Sequence, residues 1–197
     1  MNRLLTELGV PQDLQALFNN TDCLFEFGDA QEHFGRGFHR VPTSQNVWRA
    51  APDHVTDVIV THSAMEAIAY ITLNRFLHPI IENIAFIALG NFPHSLQMNW
   101  IRETFKKRKI TLVFGNCLLG TLTDIRVVAG LRLLPLRMEL RGNSIVLQCK
   151  RLTYAVQQEK LSVHVFEKAF GIRSGIRTSK PKNHLTYLDQ LITHGKY

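Results

Sequence analysis

The sequence predicts an α/β fold: a parallel sheet flanked by helices, preceded by a small N-terminal β-rich lobe and carrying an inserted antiparallel hairpin. Three observations predict it. Between Val55 and Leu131, short apolar runs bounded by turn residues alternate with longer stretches of helical period, as strand–helix–strand units do. Between Pro135 and Val156 the period drops to two around Arg141-Gly142-Asn143, the pattern of a hairpin. Before Val55, a stretch rich in Phe, Gly and His is broken by turn residues into short pieces. The expected division is therefore 1–54 for the N-terminal lobe and 55–197 for the α/β domain, with the insertion at 132–171.

Element by element, Leu4, Leu5, Leu8, Leu14, Leu17 and Phe18 recur at helical spacing from about Asn2 to Asn19, with Pro11 separating two short helices or opening the second. Leu24 to Phe27 and Val47 to Arg49 read as short strands. The first strand of the main sheet is Asp57–Thr61, followed by a helix from about Ala64 to Phe76 with Ser63 placed to cap it. Asn83–Leu89 is the second strand. A helix from about His94 to Lys109 ends in Lys106-Lys107-Arg108-Lys109, a base cluster that suits either a helix stop or a nucleic-acid contact. Ile110–Phe114 is the third strand, and a helix follows from about Leu119 to Leu131. Leu136–Leu140, Ser144–Gln148 and Leu152–Val156 supply the antiparallel pieces. A helix from about Leu161 to Phe170, a strand over Gly175–Ser179 and a closing turn with a short helix complete the chain.

A length of 197 residues, with 45% hydrophobic and 20% charged residues, suits one compact unit with a real core. The longest apolar stretches, Ile80-Ile81 and Ile84 to Leu89, are too short for a bilayer. The opening Met1-Asn2-Arg3-Leu4-Leu5-Thr6-Glu7 turns acidic and amphipathic at once, unlike a secretory signal. A soluble cytoplasmic protein with no membrane contact is expected. Cys23, Cys117 and Cys149 are odd in number and lack CxxC spacing, so three buried reduced thiols are expected rather than disulfides or a cysteine-built zinc site.

The net charge of +7 is unevenly spread. Arg126–Tyr197 holds 13 Lys+Arg against 4 Asp+Glu, whereas the preceding 125 residues hold 10 against 12. Such asymmetry points to a polyanionic partner, most simply DNA or RNA. Arg173, Arg177, Lys180 and Lys182 recur beside Gly171, Gly175 and Thr178, a segment suited to a phosphate path, and Arg137 and Arg141 on the hairpin extend it.

Ligands of open parallel sheets sit at the C-terminal strand ends. Here those ends read Thr61-His62-Ser63-Ala64-Met65-Glu66-Ala67 and Phe114-Gly115-Asn116-Cys117-Leu118-Leu119-Gly120. The first is a strand closing in a short turn before a helix; the second ends in x-Asn-x-x-x-Gly. Together they resemble the Toprim family of primases, topoisomerases and related nucleases. The closing run from Lys180 to Leu191 is similar to the tail of Toprim-like modules in phage, plasmid and transposon proteins. The resemblance covers about residues 55–131 and 172–191. It implies a Glu after the first strand and an Asp-x-Asp after the third, binding a divalent cation for phosphoryl transfer. In this chain His62 stands at the Glu position and Glu66 at a second acidic position. Gly115 and Cys117 replace the two aspartates.

Glycine supplies no ligand and a thiol is a soft one, so the site reads as dismantled. The chain also resembles TnpC-like accessory proteins of mobilizable transposons, which implies a role assisting excision or mobilization. The expected function is a non-catalytic, nucleic-acid-binding accessory without a cofactor, partnered by DNA and by a primase, relaxase or recombinase. The alternative is a metal-dependent nuclease or nucleotidyl transferase with a remodelled site, using Mg²⁺, or zinc held by His62, Glu66, Cys117 and Asp124. His33 and His39 lack paired cysteines, and Trp48 and Trp100 read as core residues.

Overall fold

The computed structural model describes residues 2–18 and 22–194. Two short helices, α1 (Arg3–Glu7) and α2 (Gln12–Phe18), open the chain on either side of Pro11; the expected helix end at Asn19 lies outside the described residues. A three-stranded antiparallel sheet follows, made of β1 (Leu24–Glu26), β2 (Gln31–Gly35) and β3 (Phe38–Arg40). β4 (Trp48–Ala50) then leaves that lobe and pairs antiparallel with a strand of the main sheet. The boundary expected after residue 54 thus falls between two strands of one sheet.

The main sheet is built from β5 (Asp57–Thr61), β6 (Ile84–Ala88), β7 (Lys109–Val113) and β11 (Arg177–Thr178), all parallel, in the order β11-β7-β5-β6-β4. The intervening helices are α3 (Ala64–Asn74), α4 (Ser95–Thr104) and α5 (Leu118–Leu131). The alternation of side chains along each strand assigns them to two cores. Ile59, Phe86 and Val113 face α3, the N-terminal helices and the closing helix α7 (Tyr187–His194). Val58, Val60, Ile87 and Leu112 face α4, α5 and the inserted segment. Both faces are covered, which is why these strands read as continuous apolar runs rather than as alternating ones.

The insertion comprises β8 (Leu136–Arg141), β9 (Ser144–Cys149) and β10 (Leu152–Gln157), an antiparallel meander, followed by α6 (Val163–Phe170). Gly142 has φ +57 at the hairpin turn, where a left-handed residue matches the strand twist. Ile145, Leu147 and Phe166 bury themselves against the α5 side.

The helix expected to reach Lys109 stops at Thr104. Phe105 O accepts the Arg108 amide at 3.2 Å, and Lys107 takes φ +61. That is a turn with a left-handed third residue, so Lys109 is freed to begin β7 instead. Among the described residues no helix is long and apolar enough to cross a membrane.

Candidate functional site

Among the parallel strands, β6 lies on one side of β5 and β7 on the other. The chain therefore reverses direction at β5, and a crevice opens between the C-terminal ends of β5 and β7, where such sheets bind ligands. A cleft of about 190 Å³ lies there, lined by His62, Asn91, Gly115, Cys117, Thr123 and Thr186 together with Phe114, Leu119 and Gly120. The structure thus brings His62, Gly115 and Cys117 together, as the sequence suggested. It does not bring carboxylates with them.

The α3 N-terminus begins at the end of β5. Ser63 caps it by accepting the Glu66 amide at 3.0 Å. The next two free amides, Ala64 N and Met65 N, donate to Glu32 Oε2 at 2.7 Å and Oε1 at 3.1 Å. Glu32 comes from β2 and is fully buried, and its Oε1 also meets His39 Nε2 at 2.9 Å. A helix N-terminus is a ready anion site. Here a carboxylate of the chain itself fills it. Glu32 escaped the sequence reading because β2 was not foreseen. The available signal was its two-residue spacing from Phe34, which puts both on one strand face.

Glu66 points elsewhere. Its two oxygens accept Tyr187 N at 2.8 Å and Leu188 N at 3.0 Å, the first amides of α7. Burial pushes its carboxyl up to about 7, against the two amides that favour the ionised form. His62 is pushed down to about 4, mainly by burial and then by the nearby His39, so the imidazole is neutral at ordinary pH. Asp124 pairs with Lys180 at 2.6 Å, the carboxylate being 2% exposed. Burial raises Asp124 to about 6 despite the lysine, and its Oδ1 has no partner among the described residues.

The residues that carry the family resemblance prove to be architectural. Asn116 N and Nδ2 donate to Leu185 O at 2.6 Å and Pro181 O at 3.0 Å. Lys180 Nζ donates to Phe114 O at 3.1 Å and Gly115 O at 3.0 Å. These bonds hold the segment before α7 across the end of β7. A Cβ on Gly120 would sit 1.9 Å from Gly115 O, and one on Gly115 would sit 3.2 Å from Leu185 O. Glycine at 120 is required by a close backbone approach. Comparison with family models, with characterised proteins and with solved structures finds no match to this chain.

The donor set does not fit a Toprim cation. Mg²⁺ is usually held through carboxylates, and no Asp or Glu lines the cleft, whose side chains offer imidazole, thiol and neutral amide and hydroxyl groups. Glu32 and Glu66 hold helix amides, and Asp124 holds a lysine. Nor are the zinc candidates His62, Glu66, Cys117 and Asp124 assembled: among the described residues no group of three or more His, Cys, Asp or Glu is placed to hold a metal. His33 instead meets Gln31 at 2.6 Å. The expectation of three buried thiols fails at Cys117, which is exposed as the N-cap of α5, with Sγ accepting Gly120 N at 3.5 Å. Cys23 and Cys149 are buried, and burial pushes Cys23 up to about 11.

The nucleic-acid candidates fall on several elements. Arg137 and Arg141 are exposed and two strand steps apart twice over, so they share the outer face of the β8–β10 meander. Arg141 pairs there with Glu139 at 2.9 Å. Arg173, Arg177 and Lys182 are exposed, Arg177 on the edge strand β11. Lys180 differs from these: it is half-buried, and its ammonium is bound to Asp124 and to the carbonyls of Phe114 and Gly115. Trp48 is buried against Phe25 and Phe18, and Trp100 packs edge-on to Phe105.

Proposed function

We propose that this protein binds nucleic acid through its basic C-terminal third and performs no phosphoryl transfer at its strand ends. The observation that carries the proposal is the fate of the charges. The bases of residues 126–197 outnumber the acids 13 to 4, and Arg137, Arg141, Arg173, Arg177 and Lys182 are exposed. The buried carboxylates near the crevice instead hold helix amides and a lysine. Exposed cations release counterions from a polyanion on binding, and that release supplies affinity without base contacts. Phosphoryl transfer would need cation-binding oxygens beside the reacting phosphate.

The Toprim-like frame and an accessory role in transposon excision or mobilization, alongside a primase, relaxase or recombinase, belong to the same proposal. They are supported by the strand-end motifs and by a parallel sheet reversing at β5. The test is titration of the full chain with single- and double-stranded DNA across a salt series. Affinity should fall steeply as salt rises; a flat response or no binding sinks the reading. Cleavage of either substrate with Mg²⁺ or Mn²⁺ would overturn its non-catalytic half.

A further inference from the structure

The base cluster after α4 and the basic C-terminal third are far apart in sequence and meet in space. A cleft of about 440 Å³ opens between the α4–β7 turn and residues 174–176, and Arg102, Lys106, Lys107, Arg108 and Arg132 line it. It lies at the N-terminal ends of β7 and β11, at the opposite end of the parallel strands from the His62 crevice. Its walls are partly apolar, with Phe105 and Ile176 among them, and its volume is that of an ordinary ligand pocket.

Five cations in one cleft exceed what the ends of α4 and α5 call for, since a helix dipole is complemented by one or two. Neutralisation is sparse. Glu103 serves both Arg102 at 3.3 Å and Lys106 at 3.0 Å, while Lys107, Arg108 and Arg132 make no ion pair among the described residues. Arg102 Nη1 has no hydrogen-bond partner among the described residues. The Arg132 guanidinium donates to the Ser174 carbonyl, and Glu167 holds Ser174 N at 2.7 Å, so both rims are fixed. Lys107 takes φ +61 at a turn position that glycine would occupy without strain.

We infer that this cleft binds the phosphodiester backbone of a nucleic acid, adding a contact surface to the exposed Arg173 and Arg177, which flank its lining residues 174–176 in sequence. The inference rests on the nucleic-acid reading above. A bound phosphate backbone relieves the mutual repulsion of the five cations, and the apolar wall offers a seat for the edge of a sugar or base.

The test uses the full chain, a labelled single strand of about 20 nucleotides and anisotropy titrations between about 50 and 200 mM salt. Lys107→Gly with Arg108→Gln should lower the slope of log affinity against log salt by about 1 to 2 and weaken binding about tenfold or more at low salt. Lys107→Gly alone should remove about one unit of slope or less while leaving the unfolding midpoint unchanged or higher, because glycine accepts φ +61. That combination separates lost binding from lost folding. Unchanged slope and affinity in the double variant, with the wild type binding, overturns the cleft and leaves the nucleic-acid reading standing. No binding by the wild type removes both. Displacement of the strand by inorganic pyrophosphate at matched phosphate concentration would make this a small-anion site and overturn the assignment to nucleic acid.

Discussion

The carboxylate of Glu32 accepts the backbone amide of Ala64 at 2.7 Å, joining the N-terminal lobe to the first turn of α3. Position and chemistry make this an internal occupant of an anion site. The amides of a helix start point at it, and the helix dipole favours its charge. Because Glu32 is fully buried, losing the charge leaves polar groups without recourse to water. Glu32→Gln should cost about 2–3 kcal/mol, since the single side-chain oxygen of glutamine can accept only one of the two amides and its NH2 faces the other. Urea unfolding measures it. Glu32→Ala should cost more, and added phosphate should raise its unfolding midpoint more than that of the wild type. Equal phosphate responses would show that the helix start is closed by something other than Glu32.

Glu66 gives the fold a pH dependence whose sign is fixed by burial. Its pKa is raised from 4.5 to about 7, so its contribution is complete below 4.5 and lost as pH rises through about 7. Asp124, raised from 3.8 to about 6, acts in the same direction. His62, lowered from 6.5 to about 4, opposes them: its contribution is present above 6.5 and lost as pH falls through about 4. Between about pH 4.5 and 6 the folded chain holds protons on Glu66 and Asp124, whereas the unfolded chain holds one on His62. Stability should therefore fall as pH rises across that window. Chemical denaturation at several pH values checks it. Glu66→Gln should flatten the fall; a slope that survives in this variant would remove Glu66 as its source.

Periodicity made the core legible. The strands around 57–61, 84–88 and 110–113, the cap at Ser63 and the hairpin around Gly142 follow from local rules. The strand-end residues His62, Gly115 and Cys117 were legible for the same reason, because they stand where apolar runs stop. What escaped was set by contacts between distant segments. Glu32 reaches Ala64 across 32 positions, Glu66 reaches Tyr187 across 121, and Lys180 reaches Gly115 across 65. No periodic signal reports such pairs. The early end of α4 escaped because Lys107 adopts a left-handed conformation that sequence rules reserve for glycine and asparagine.

The buried pair of Asp124 and Lys180 gives the clearest means of separating architecture from binding. Its lysine is one of the bases that the charge pattern marks for nucleic acid, yet its three donors go to Asp124, Phe114 O and Gly115 O. Removing the ammonium strands a carboxylate that is 2% exposed, a loss of about 3–5 kcal/mol for a pair of this kind. Lys180→Met should therefore lower the urea midpoint sharply. Replacing both partners, Asp124→Leu with Lys180→Met, should recover much of the loss, because an apolar pair carries no desolvation penalty. Nucleic-acid affinity of the folded double variant should match the wild type, while Arg177→Gln, at an exposed base, should weaken binding with no change in the midpoint. If the double variant folds and loses affinity, Lys180 contacts the polyanion, and the division between structural and binding cations falls.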